Sequence, residues 1–380
     1  MKIISIGLYI VICLASLKSN KSHKYMMFLY LMFMACLFSF TSEIYDLTPY
    51  ENFYNEVSFS NIIFINKSAS SILFSIICSL FKFFHIDFYF FRFILFISSS
   101  LIIYKLYGKR MNVNIFLVYY SVVPFFLDMI QIRFFLASIF VLIALYYLSK
   151  NNMKLFLLFI FLGTLVHSMV ITFLFAIFIP KNKVLDNKYV RWISILSFVV
   201  VLIFITNRSL LFTIQSLVSQ FSLFDEYNRY VFDGSVRNGF LLYVVYQILN
   251  ISLAYYVNSQ INRKKIYKNI IQLRSFNVLN INIQIVGICF IIFTMMDVNF
   301  SRFFRLFTII NILNFSIFIK HDGGIIDRYK GKISCGRLLI SIIFLMIVII
   351  WPVFESTLNS SFINIFESVF DYININWFRF

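Results

Sequence analysis

The sequence predicts an all-α integral membrane protein: a polytopic bundle of about twelve transmembrane helices that forms a single domain over residues 1–380. The chain is 61% hydrophobic and only 13% charged, whereas a soluble domain carries about 25% charged residues. Its mean hydropathy is +0.87. The apolar residues also form continuous runs instead of an alternating pattern, which favours helices over an outer-membrane barrel.

Thirteen apolar runs follow one another along the chain, without an internal repeat or a flexible linker. They lie at 3–17, 25–41, 68–84, 86–104, 113–127, 134–148, 154–166, 168–179, 192–206, 239–257, 278–296, 303–319 and 338–354. The first apolar run has no small-residue cleavage site, and many more apolar runs follow it. We therefore expect that run to be a retained helix and not a removed signal peptide.

Lysine and arginine concentrate in six loops, which hold 22 of the 33 basic residues. These loops are 18–24, 105–112, 149–154, 180–191, 258–274 and 320–337. The positive-inside rule places them in the cytoplasm and places loops 42–66 and 207–238 outside. The net charge of +17 is then a matter of orientation, and nucleic-acid binding is not expected.

This orientation restricts which apolar runs can cross the membrane. Run 68–84 must stay on one side of the membrane, so we expect an outer interfacial helix there. Stretches 113–148, 154–179 and 278–319 each start and end at a cytoplasmic loop, so each forms a hairpin with polar residues at its tip. The arms of the second hairpin have about 13 residues, roughly 20 Å, against a core of about 30 Å. This re-entrant-like hairpin would hold His167 in a cavity below the outer surface.

Charged or titratable residues near the hairpin tips are the candidates for chemistry: Arg133, His167, Asp297, Arg302 and Arg305. A charge that faces lipid is costly, so such residues usually face the bundle interior or a pathway, snorkel to phosphates, or pair with an acid. Arginine forks match phosphate oxygens. Since the sequence has no nucleotide-binding motif, the pattern suggests a lipid-linked substrate that carries its own phosphate leaving group.

Aromatic and acidic residues in the two external loops are candidates for binding sugars. They are Asp46, Tyr50 and Tyr54 in the first loop, and Tyr227 and Arg229 in the second. The alternative is an interfacial aromatic belt. The five cysteines are scattered and form no CxxC pair, so we expect neither a metal site nor a cofactor.

Several of these segments together resemble the EpsG family of Wzy-like bacterial polysaccharide polymerases. The resemblance is carried by Gln131-Ile-Arg133 followed by Leu136-Ala137, by His167-Ser168, by the Asp46, Tyr50 and Tyr54 loop, by Asp297 to Arg302, and by Glu226-Tyr227 to Tyr230. Phe134 and Phe135 depart from the small or polar residues common after the arginine. Ser168 stands where a spacer often follows the histidine.

The resemblance implies a glycosyltransferase-type enzyme of the bacterial cytoplasmic membrane. It would join undecaprenyl-diphosphate-linked oligosaccharide repeats on the outer face into O-antigen, capsule or exopolysaccharide, with no metal and no nucleotide sugar. Arg133 and Arg302 would neutralise the diphosphate, and His167 or Asp297 would act as the base. Gln131, Arg305 and the external-loop residues would bind substrate. Membrane lipid and a chain-length regulator protein are candidate partners.

Other membrane functions remain open from sequence. A flippase for lipid-linked oligosaccharides, or another transporter, would carry charges through the full membrane depth and show internal symmetry. An O-antigen ligase or a membrane O-acyltransferase could also use an outer histidine and arginine. The polar groups here cluster toward one face, which favours the polymerase, but the sequence separates polymerase from ligase poorly.

Overall fold

The computed structural model describes residues 23–40, 47–62, 71–122, 124–206, 240–264, 271–296 and 298–321. Within these ranges the chain is helical or loop, with no strand. The predicted runs 3–17 and 338–354 and the external loop 207–238 lie outside them. Contacts between residues divide the chain into two compact units.

Unit 1 consists of the described parts of residues 1–65, 74–139 and 315–380. Its helices are α1 (His23–Phe40), α2 (Leu47–Glu56), most of α3 (Ile72–Phe83), α4 (Phe88–Tyr107), α5 (Val113–Val122), α6 (Pro124–Ile130) and the start of α7 (Ile132–Ser149). Its core is aromatic: Phe38 lies 5.0 Å from both Phe96 and Phe135, and Phe96 stacks on Phe135 at 5.8 Å, measured between ring centroids.

Unit 2 consists of the described parts of residues 66–73 and 140–314. After the rest of α7 come α8 (Met153–Thr164), a 3₁₀ helix (Ser168–Phe178), α9 (Asn187–Thr206), α10 (Phe240–Lys264), α11 (Ile271–Val286), a 3₁₀ turn (Gly287–Phe290), α12 (Ile291–Met296), a second 3₁₀ turn (Val298–Ser301) and most of α13 (Arg302–His321).

Several helices are long and apolar enough to cross a membrane, which confirms a helical membrane protein. Among the described residues there are four: Phe88–Tyr107, Ile132–Ser149, Arg274–Thr294 and Arg302–His321. A fifth span results if α5 and α6, which meet at a bend of 65°, are counted together. The last of these helices, Arg302–His321, is internal, since nearly all of its apolar stretch is buried inside the protein. The predicted total of about twelve spans is not reached within the described ranges.

Helix α3 lies within the run predicted to form an outer interfacial helix. Its 12 residues extend about 18 Å, which is too short to cross a core of about 30 Å. Its buried face carries Phe74, Ser75, Cys78 and Ser79, and its exposed face carries Ile76, Leu80 and Phe83. Both serines therefore point inward, and the exposed face is apolar, as expected for a helix whose surroundings are lipid.

Loops that are predicted to be cytoplasmic contact one another in each unit. In unit 1 the Lys320 amine donates to the carbonyl oxygens of Gly108 at 3.0 Å and Lys109 at 2.8 Å, so two predicted cytoplasmic loops lie together. In unit 2 the Lys181 amine donates to Asn151 Oδ1 at 3.3 Å, which joins the two ends of the short hairpin. Loops assigned to one side of the membrane by charge are thus neighbours in each unit.

A network of buried amides joins α10, α11 and α13 in unit 2. Its members are Gln247, Asn250, Asn277, Asn280, Gln284, Asn311 and Asn314. Asn280 donates to Asn311 Oδ1 at 3.0 Å, and Asn311 donates to the Asn250 carbonyl oxygen and Oδ1, both at 3.1 Å. Amide bonds between helices stabilise packing in a membrane, where the hydrophobic effect does not drive one helix against another.

The same network holds a break between α11 and α12. Gln247 Nε2 donates to the Gln284 carbonyl oxygen at 2.5 Å, which a continuous α-helix would pair with residue 288. Gln284 Nε2 in turn donates to the Phe307 carbonyl oxygen at 2.8 Å. A Cβ at Gly287 would overlap the Gln247 amide and lie 3.0 Å from the Phe307 ring. The change to 3₁₀ geometry therefore depends on a glycine at this point.

Candidate active site

His167 lies at the tip of the short hairpin in unit 2, between α8 and the 3₁₀ helix. Its backbone N–H donates to the Gly163 carbonyl oxygen at 2.9 Å, and its own carbonyl accepts from Val170 N–H at 3.1 Å. The arms approach closely because a Cβ at Gly163 would lie 2.8 Å from Val170 Cγ1. The returning arm of 11 residues is 3₁₀, so it reaches about 22 Å, further than an α-helix of equal length.

The hairpin tip contacts the N-terminus of α3. Leu73 N–H donates to the Leu165 carbonyl oxygen at 3.0 Å. His167 itself is buried, with 5% of its surface exposed. The first residues of the predicted interfacial helix therefore contact the predicted hairpin tip within unit 2.

Arg302 is the residue that the fold brings to His167. It begins α13 directly after the second 3₁₀ turn, and its Nη1 lies 3.3 Å from His167 Nε2. The guanidinium places a positive charge at this end of unit 2, and arginine is suited to binding phosphate oxygens.

An N–H donor lies at each ring nitrogen of His167, but a neutral imidazole has only one accepting nitrogen. Met169 N–H donates to Nδ1 at 3.3 Å, which puts the ring proton on Nε2. Nε2–H then faces Arg302 Nη1, and a guanidinium can only donate. The other tautomer accepts from Arg302 but sets Nδ1–H against Met169 N–H. In the first tautomer an oxygen placed beside both groups would accept from Nε2–H and from the guanidinium together.

Arg305 lies one turn further along α13. It is buried, with 4% of its surface exposed, and its spacing of three residues puts it on the same side of the helix as Arg302. Two guanidinium groups therefore start the innermost helix of unit 2. Asp297, predicted as a partner or base, lies outside the described residues.

Arg133 and Gln131 belong to unit 1, at the start of α7. Gln131 separates α6 from α7: its N–H donates to the Leu127 carbonyl oxygen at 3.0 Å, and its carbonyl accepts from Phe135 N–H at 2.9 Å. Both side chains are half-buried. Asp128, just before the break, is buried and accepts from the Tyr120 hydroxyl at 2.7 Å.

The external-loop tyrosines differ in their surroundings. Tyr54 is 2% exposed, its ring stacks on Phe91 at 5.1 Å between centroids, and its hydroxyl donates to the Ile86 carbonyl oxygen at 2.6 Å. Burial, together with nearby Cys78 and Asp87, raises the pKa of the Tyr54 phenol, so the group stays a donor. Tyr50 is half-buried. Asp46, Tyr227 and Arg229 lie outside the described residues.

A family model described as the EpsG family matches residues 24–366. The chain belongs to the EpsG family. This is a family of Wzy-like polysaccharide polymerases, so the resemblance found in the sequence is confirmed. Comparison with curated proteins and with solved structures gives no match. All the predicted site residues lie within the matched range.

One further buried charge of this EpsG family chain lies in unit 1. Arg92 is fully buried in α4, although the motifs of the sequence do not single it out. Its position inside apolar run 86–104 could have drawn attention to it. A charge within a membrane span is rare unless it has a function or internal partners. Within the described residues there is no group of three His, Cys, Asp or Glu residues that could hold a metal ion.

Proposed function

We propose that this EpsG family chain polymerises undecaprenyl-diphosphate-linked oligosaccharide repeats on the outer face of the bacterial cytoplasmic membrane. A sugar hydroxyl of the acceptor attacks the anomeric carbon of the lipid-linked donor chain. The new glycosidic C–O bond forms as the bond between that carbon and the diphosphate oxygen breaks. The electron pair leaves with the lipid diphosphate, and the hydroxyl proton passes to a base of the protein.

The observation that carries this proposal is the pairing of His167 with Arg302. The pair offers Nε2–H and Nη1–H, 3.3 Å apart, at the start of α13. Charge grows on the diphosphate as its bond to the sugar breaks, and donors already aimed at that charge lower the barrier most. Bonds from charged donors are also about twice as strong as neutral ones.

His167 then acts as a donor and not as the base. With Nδ1 occupied by Met169 N–H, the remaining nitrogen carries the proton. We therefore assign the general base to Asp297, which lies before the second 3₁₀ turn in the sequence. A carboxylate is a suitable acceptor for a hydroxyl proton that is lost as the bond to carbon forms.

The remaining predicted residues take substrate-binding roles in this proposal. Arg133 of unit 1 recognises diphosphate through its guanidinium fork, with Gln131 beside it in the chain, and Arg305 of unit 2 adds positive charge. Asp46, Tyr50, Tyr227 and Arg229 bind the sugars. Tyr54 supports its helix, because its hydroxyl and ring are already engaged in unit 1. A chain-length regulator protein and membrane lipid are the proposed partners.

Deletion of the gene in its host, followed by gel analysis of the surface glycan, tests the proposal. We expect the deletion strain to show a single repeat unit on its anchor, and the native gene to restore the ladder of chain lengths. Arg302→Gln should behave like the deletion. Arg191→Gln, an exposed arginine of α9, should behave like the native gene.

The alternative functions give different gels. A deletion strain that lacks even the single repeat would point to a flippase or a ligase and would overturn the polymerase. A normal ladder with Arg302→Gln, at normal protein abundance, would remove the pair from the site.

A further inference from the structure

Arg92, the fifth residue of helix α4 in unit 1, is a buried cation to which neither the motifs nor the family match gives a role. It is 0% exposed. A charge in a membrane helix costs about 2.5–3.5 kcal/mol on insertion scales, so its surroundings must favour it. The rings of Phe38 and Phe88 lie 5.5 and 5.6 Å from the guanidinium carbon, close enough for cation–π attraction.

The guanidinium donates to the ends of two helices. Nη1 donates to the Ser39 carbonyl oxygen at 3.1 Å, and Nη2 to the Met129 carbonyl oxygen at 3.3 Å. Ser39 lies in the last turn of α1, and Met129 in the last turn of α6. The last carbonyls of a helix have no partner within it and carry partial negative charge. One arginine therefore binds two helix C-termini.

Both helices lead directly into segments with predicted site residues. After α6 comes Gln131, and Arg133 follows at the start of α7. In a continuous helix the Met129 carbonyl would be the acceptor for Arg133 N–H, so Arg92 binds a carbonyl next to the interruption between α6 and α7. After α1 the chain enters the segment with Asp46 and then α2, which carries Tyr50.

Binding two carbonyl oxygens from different helices requires the guanidinium group of arginine. A planar fork presents two N–H donors in fixed directions, whereas a lysine amine is a single compact charge on a flexible stem. Only the fork can bind two carbonyls from different helices with one rigid group.

We propose that Arg92 is a positioning residue, which holds the interruption between α6 and α7 in place and so positions Arg133. The proposal rests on the diphosphate role proposed for Arg133. Arg92 does not touch the reacting atoms in this view. It acts by binding the carbonyl groups at the C-termini of α1 and α6.

The test compares Arg92→Lys and Arg92→Met in the full chain, with Arg191→Lys and Arg191→Met as matched controls on an exposed arginine. Two quantities are measured at equal membrane abundance. One is the rate of glycan polymerisation. The other is the rate at which a membrane-impermeant maleimide labels a Gln131→Cys site in intact cells, after subtraction of labelling in the chain without that cysteine. The second quantity does not depend on the chain being a polymerase.

We expect Arg92→Lys to lower polymerisation about tenfold and Arg92→Met roughly a hundredfold, as expected when a catalytic group is displaced by about 1 Å. The labelling rate at position 131 should change severalfold in the same order, and the Arg191 variants should leave both quantities unchanged. If Arg92→Met does not accumulate, Arg92→Lys alone decides.

Unchanged labelling at position 131 in Arg92→Lys would overturn the positioning role, whatever happens to polymerisation. Altered labelling with native polymerisation would overturn it as well, because the break would have moved without consequence. Altered labelling in a chain whose deletion leaves the glycan ladder intact would instead remove the proposed function and leave the structural role of Arg92 standing.

Discussion

Arg302 Nη1 lies 3.3 Å from His167 Nε2, while Met169 N–H donates to the other nitrogen of the same ring. A neutral imidazole has a single accepting nitrogen, so it cannot satisfy both donors. An anionic oxygen placed beside the pair would accept from Nε2–H and from the guanidinium together. This relationship joins the hairpin tip to the start of α13, and it leads to the first prediction.

His167→Gln should retain part of the polymerase activity, about a tenth, because the glutamine amide can still donate to a phosphate oxygen. His167→Ala removes the donor and should lose roughly a hundredfold, as for loss of one preorganised donor. The chain-length distribution of the surface glycan and the polymerisation rate are measured at equal abundance of the protein in the membrane. Equal loss in both variants would instead support a proton-accepting role, and native activity in both would make His167 a packing residue.

Arg133→Lys keeps the positive charge and loses the fork. If Arg133 binds diphosphate with two parallel bonds, this variant should lose most of its activity, roughly a hundredfold. Arg191→Lys serves as the control because that side chain is exposed on α9. Native polymerisation in Arg133→Ala, with normal abundance in the membrane, would show that Arg133 has a structural role only.

Gly287→Ala should destabilise unit 2. The new methyl would overlap the Gln247 amide and crowd the Phe307 ring, and overpacking of this kind costs about 1–3 kcal/mol. The expected result is a lower midpoint of thermal unfolding in detergent. Gly108→Ala is unsuitable as a control because its Cβ would lie 2.5 Å from a carbonyl oxygen. Ser252→Ala, at an exposed position on α10, should leave the midpoint unchanged.

Asn280→Leu and Asn311→Leu should show coupled effects on stability. Each single change leaves a buried amide without its partner, which costs about 1–3 kcal/mol. The double change removes both amides, so its cost should be less than the sum, with a coupling of about 0.6 kcal/mol as for other amide bonds between membrane helices. Strictly additive midpoints for the three variants would argue that the Asn280–Asn311 bond, 3.0 Å long, contributes nothing.

Reporters fused within 42–66 and 207–238 should be external, and those within 105–112, 180–191 and 258–274 cytoplasmic. The reason is the concentration of basic residues in the latter loops. Cysteine scanning should also find both ends of run 68–84 reachable from the outer side. An external signal at 258–274 would reverse the whole orientation.

Much of the fold follows from the sequence, because a membrane allows few structures. Backbone groups in lipid must bond within a helix, so each continuous apolar run with described residues became helical. The polar residues His167 and Arg302 also stood out, since charged or titratable groups are rare in such runs. The same reasoning applies to Arg92, but its run is long and apolar, and no neighbouring polar residue draws attention to it.

The sequence by itself determined a helical membrane protein and the residue types available for binding an anion, and it predicts the sides of its loops. These are properties of composition and local order, because lipid selects for apolar runs and the membrane's charge asymmetry selects for basic loops. Only the tertiary structure decided that Arg302 meets His167, that Tyr54 bonds to Ile86, that Arg92 holds the ends of α1 and α6, and that amides on three helices join one another. Each of these contacts joins residues far apart in the chain. Their partners are set by how helices pack, and helical periodicity does not encode which carbonyl or ring a side chain will find.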